Sequence, residues 1–151
     1  MTERDFSRIL EKLGKEINYR PLLYWIRNLI IEDIEFNFAE EQTPDGEKWA
    51  PLKAPRRDKR YRGNPILIER RDLKTSVTIV GSENNINIVN KDSLEWGTDD
   101  PKAPTHQYGD PQRNISQREF MGIGQVLEDE IADTVASFVE NKVMEIVGGW
   151  D

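Results

Sequence analysis

The first forty residues place their apolar side chains at helical spacing. Phe6, Ile9, Leu10 and Leu13 recur at intervals of one turn, and Thr2 followed by Asp5 has the form of an N-cap with an acid in the first turn, predicting a helix over about 3–17. Asn18-Tyr19-Arg20 breaks it. Pro21 suits the first position of a second helix, where its missing N–H has no partner to lose, and Leu22, Ile26, Leu29, Ile30, Ile34 and Phe38 mark that helix's apolar face. Tyr24 and Trp25 are expected to pack in a core or a subunit contact. From Thr43 to Pro65 the rhythm collapses into prolines, glycines and charges, predicting a flexible arm over 43–65. Beyond it, Ser76–Val80 and Ile86–Asn90 alternate β-branched residues on either side of a turn cluster, which predicts a β-hairpin, with Leu94–Gly97 as a third short strand. The last segment carries Ile123, Leu127, Ile131, Val135, Phe138, Val143, Ile146 and Val147 on one stripe. A long helix is predicted from near Ser116 or Gln117 to Gly148-Gly149.

These elements predict an α+β fold of N-terminal helices, a small antiparallel β-meander, a long C-terminal helix and an extended basic loop, because a sheet with one apolar face needs helices to cover it. A chain of 151 residues suits one domain over 1–151, large enough to bury roughly 68–70% of its unfolded surface. Apolar residues make up 36% and charged residues 32%, a polar balance that the loops explain. The absence of cysteine excludes disulfides, thiolate metal sites and a cysteine nucleophile. The acidic start Met-Thr-Glu-Arg-Asp is not that of an export signal, and the apolar stretch around 21–31 is too short to span a bilayer, so no membrane partner is expected.

Charge changes the picture more than composition does. Lys48–Arg71 holds nine basic residues against Asp58 and Glu69, a net +7 inside a chain of net −7, which leaves −14 elsewhere. Such a segment attracts either phosphates or the acidic surface of another protein, a second copy included. Arg56, Arg57, Lys59, Arg60 and Arg62 could release phosphate counterions and Tyr61 could stack on a base. Against DNA stands the acidic remainder, which would repel a duplex. Protein docking is the preferred expectation, with Trp49 and Leu52 as apolar anchors of the arm.

Catalytic chemistry finds little to work with. His106 is the one histidine, so no second imidazole or thiolate is present to share a zinc ion, and it is expected to serve a turn rather than a reaction. Asp99, Asp100 and Asp110 lack the spacing and terminal Glu of a calcium loop. Gly122-Ile123-Gly124 is too short for a dinucleotide fingerprint. No cofactor is implied, and no enzyme is expected.

Several short motifs, in order, resemble the phage virion morphogenesis family, the Mu-like tail-completion proteins. Pro44-Asp45-Gly46-Glu47-Lys48-Trp49-Ala50-Pro51-Leu52 is similar to that family's turn followed by Trp, a small residue, Pro and Leu, with a basic arm after it. Ile66-Leu67-Ile68 through Asp72-Leu73-Lys74-Thr75-Ser76 resembles its stretch leading to Leu-x-x-Ser, although Arg71-Asp72 stands where the family commonly has Thr-Gly. Trp96-Gly97-Thr98, His106-Gln107-Tyr108-Gly109 and Gln117-Arg118-Glu119-Phe120-Met121-Gly122 resemble its Gly-Thr, His-Gln-Phe-Gly and Ala-Arg-x-Phe-Leu-Gly signatures. The matches cover about 44–124. The resemblance implies a non-enzymatic structural protein of tail completion or head-tail joining, present in the host cytoplasm during assembly and then in the virion. Its implied partners are other tail or head-tail connector proteins and further copies of itself in a ring. The alternative is a DNA-associated accessory protein gripping phosphates through the arm.

Overall fold

A computed structural model describes residues 2–150. Its order is α1 (Glu3–Lys15), α2 (Arg20–Glu40), a 3-10 turn at Lys59–Tyr61, α3 (Asp72–Thr78), β1 (Asn85–Val89), β2 (Leu94–Thr98), α4 (Ala103–Tyr108), a 3-10 turn at Pro111–Arg113 and α5 (Gln125–Gly148). The α+β class and the long C-terminal helix are as the sequence predicts. Thr2 and Asp5 form a reciprocal capping box, each side chain meeting the other's backbone N–H. The proline of α2 sits in its first turn.

The predicted strand at Ser76–Val80 is instead the end of α3 and the turn after it. Its β-branched residues favour a strand, but Leu73, Ser76 and Val77 fall at helical spacing and all three are buried, and that burial outweighs local preference. The Ser76 hydroxyl is satisfied by donating to the Leu73 carbonyl at 2.7 Å. The sheet is therefore a two-stranded hairpin, β1 against β2, with Ile86 opposite Gly97 and Ile88 opposite Glu95. Leu94–Gly97, expected as a third strand, supplies the second. An isolated hairpin is marginal in water, and this one leans on α3, where the Trp96 indole donates to the Val77 carbonyl at 3.1 Å.

The core gathers Ile34 and Phe38 of α2, Trp49, Ile68, Leu73 and Val77 of α3, Ala103 of α4 and Phe120. Phe38 meets the Trp49 ring edge-on at a centroid distance of 5.6 Å and the Phe120 ring at 5.7 Å. Helix α5 packs along α2 and α1, burying Leu127 and Ile146. Tyr24 and Trp25 do not join the core; both are exposed on α2, with the Arg27 guanidinium 5.0 Å from the Tyr24 ring.

Helix α5 starts at Gln125, eight or nine residues later than the periodicity predicts, because residues 116–124 run as a strap. Phe120 is sunk into the core, and Gly124 approaches the Pro44 carbonyl so closely that any Cβ there would overlap it. Arg71, the N-cap of α3, is held left-handed at φ 67°. This conformation suits glycine better than a long side chain.

Candidate functional site: the motif knot and the basic loop

The sequence motifs that lie far apart along the chain meet in space. Gln107 of α4 turns its amide to the strap, where Oε1 accepts from the Phe120 and Met121 N–H groups at 3.2 and 3.3 Å and Nε2 donates to the Met121 carbonyl at 2.6 Å. It does for this strap what a neighbouring strand would do for an edge. Gly109 has φ 75°, and a Cβ on it would stand 2.9 Å from the Gln117 amide nitrogen. The close passage therefore requires glycine.

Arg118 ties the strap to the next motif. Its Nε donates to the Ala50 carbonyl at 2.7 Å and its terminal nitrogen to the Pro51 carbonyl at 2.8 Å, while the Trp49 indole donates back to the Glu119 carbonyl at 2.8 Å. Trp49 is 6% exposed. Where the sequence suggests a docking anchor, the structure has a tryptophan whose ring and N–H are both engaged inside its own subunit. Leu52, three residues on, is exposed.

The segment 43–65 thus divides in two. Its first part is stitched to the body, with Lys53 completing the seam by donating to the Asn114 carbonyl and side chain at 2.9 and 2.6 Å. Its second part is a loop braced from within. Arg56 donates to the carbonyls of Tyr61, Asn64 and Pro65, and Arg62 donates to the Arg56 carbonyl. Arg60 pairs with Asp58 at 2.7 Å, holding that carboxyl below its ordinary range. Tyr61 is not open for stacking, because the guanidinium groups of Arg60 and Arg70 lie 5.4 and 5.9 Å from its ring centroid. Lys48 meets Glu40 at 3.6 Å. The other seven basic residues between 48 and 71 have no carboxylate partner among the described residues. The side chains of Arg57 and Lys59 are exposed and make no hydrogen bond or ion pair among the described residues.

His106 lies on α4 rather than in a turn, and its carbonyl accepts from the Arg118 N–H at 2.8 Å. Its Nδ1 is shielded from solvent with no partner among the described residues. Burial, then the nearby Arg118 charge, lowers its pKa below the ordinary imidazole value of 6.5. The unfolded chain therefore takes up this proton before the folded one does, so the contribution is complete above the ordinary value and declines as pH falls towards the folded pKa. Thermal melts between about pH 7 and about pH 5.5 should show stability falling with acid in the wild type and falling less in His106→Gln. Equal slopes would mean the imidazole titrates freely.

Two of the three aspartates that could offer oxygen ligands to a cation are otherwise occupied. Asp100 accepts from the Lys102 N–H at 2.9 Å, and Asp110 pairs with Arg113 at 2.6 Å. Among the described residues no three metal-ligating side chains cluster, and no helix is long and apolar enough to cross a membrane.

Comparison with curated proteins and with solved structures finds no match. The profile of the phage virion morphogenesis family matches residues 2–140, taking in α1, α2 and most of α5 as well as the motif knot. The chain belongs to the phage virion morphogenesis family, and its role lies in building phage particles.

Proposed function

We propose that this protein completes the tail or joins it to the head by protein-protein contact, with the basic loop as its docking element. The observation that carries this reading is the set of seven basic residues left without carboxylate partners on a body of net −14. Unpaired exposed cations give little to a subunit's own stability but steer and register a partner of opposite charge. The partners would be tail or connector proteins and neighbouring copies, met in the host cytoplasm and retained in the virion. A contact between unlike patches on identical chains closes into a ring when the rotation permits. The reading as a DNA-associated protein loses its stacking residue, because Tyr61 already carries two guanidinium groups.

Arg57→Glu with Lys59→Glu isolates this role, since neither side chain is used within the fold. The double variant is expected to melt within about 0.5 kcal/mol of wild type, as surface substitutions do, yet fail to restore infectious particles to a phage lacking this gene. Electron microscopy of the lysate should show heads and tails unjoined or tails unfinished. Full complementation by the double variant would remove the loop from the assembly role. Tight, steeply salt-dependent duplex binding by the wild type, lost in the variant, would move the protein to the DNA reading.

A further inference from the structure

Between the root of the basic loop, α3 and α4 lies a cavity of about 200 Å³, room for about six waters at about 30 Å³ each. Five cations line it: Arg56, Arg70, Arg71, Lys102 and Arg118. Glu69 and Asp72 offset two of them, so the wall keeps an excess of three positive charges. Leu52, Leu67 and Leu73 supply its apolar part.

Two features set this cavity apart from a solvated basic surface. The first is Arg118, which is 6% exposed and has carbonyl partners but no carboxylate within ion-pair distance among the described residues. A desolvated cation paired only with dipoles is an arrangement that an incoming anion improves. The second is backbone strain. Leu67 and Arg71, both on the wall, are held left-handed at φ 61° and 67°, and side chains of this size occupy that region only when the surroundings impose it.

The same chain carries the complementary surface. Val126, Asp129 and Asp133 lie three and four residues apart on α5 with Glu130 beside Asp129, all exposed, and Ile123 is exposed beside the helix start. This stripe joins an apolar side chain to three carboxylates, the inverse of a cationic cavity with leucines in its wall. None of its residues lines that cavity. We propose that the cavity receives a carboxylate side chain from the first turns of α5 of a second copy, with Asp129 or Glu130 meeting Arg71, Lys102 and Arg118, in a head-to-tail contact. The contact rests on the docking role given above and names its surfaces. DNA phosphate is the less suited occupant, because a duplex would have to lie across the acidic body to reach a recess this small.

Charge reversal on each side tests the pairing. One protein carries Arg71→Glu and Lys102→Glu, and a second carries Asp129→Lys and Glu130→Lys. Each alone would set like charges against each other, and sedimentation equilibrium at low salt should show self-association weakened about tenfold or more. Mixed in equal amounts, the two restore both pairings, and association should return to near the wild-type level. Should either reversal lower the folded fraction in a thermal melt, the neutral forms Arg71→Gln with Lys102→Gln and Asp129→Asn with Glu130→Gln read the same quantity. Association unchanged by either reversal, or not recovered on mixing, overturns the pairing. So does duplex binding that vanishes with Arg71→Glu and Lys102→Glu while self-association persists. A reversed protein that still self-associates as the wild type does and still completes phage particles also overturns it, and leaves the assembly role standing.

Discussion

Trp49→Ala is expected to cost about 3–5 kcal/mol of stability, a large part of the roughly 5–15 available to a domain, and to show it in the isolated subunit. The substitution empties a core position, removes the edge-on contact with Phe38 and leaves the Glu119 carbonyl without its indole donor. Urea unfolding of dilute protein should give a much lower midpoint at an unchanged slope. The measurement separates two roles that sequence alone confounds. An interface anchor would leave the dilute subunit's midpoint near wild type and weaken only association; a core tryptophan moves the midpoint at every concentration.

The second large effect is on α5. Leu127 is 1% exposed, and a carboxylate there has no cationic partner supplied by the fold, so Leu127→Asp should cost several kcal/mol and leave no soluble folded protein. Phe138→Asp falls on the same stripe but should be milder, at about 1–3 kcal/mol, the ordinary range for a substitution that leaves a way out. Phe138 is only partly buried, with the Lys142 ammonium 5.6 Å from its ring, so an aspartate there finds both water and a cation. Soluble expression followed by thermal melts should rank the pair in that order. A folded Leu127→Asp protein would mean that α5 is not fixed against α2.

Periodicity is informative for the three long helices even though their stripes are only partly covered, α1 burying Ile9 while Phe6 and Leu10 stay exposed. The stripes of α1, α2 and α5 and the capping box at Thr2 are all readable from spacing. It misled where burial is concentrated in a few residues. The run from Ser76 to Val80 reads as a strand to any local rule, and only the joint burial of Leu73, Ser76 and Val77 makes its first part a helix. The strap continues the apolar stripe of α5, so periodicity places the helix start too early, although Gly122 and Gly124 are a signal that ends it. The basic loop was legible from charge and its bracing was not. Arg56 and Arg118 act on backbone carbonyls, and no sequence pattern marks which carbonyls a fold will leave open. Sequence alone does not tell whether Trp49 serves core or interface, since aromatic residues dominate both; in the structure it is buried in the core.

The passage of Gly124 beside the Pro44 carbonyl joins points about eighty residues apart, and it bears on the order in which the molecule becomes competent. Contacts so distant in sequence close late, after nearer ones have reduced the entropy of bringing them together. Arg118 lies on the same strap six residues before Gly124, so the recess it lines depends on this crossing. A chain cut before α5 would therefore hold its basic residues on an unfinished scaffold. On the contact proposed above, the crossing would act as a checkpoint on quality, because a subunit in which residues 44 and 124 had not met would lack the recess that a neighbour enters.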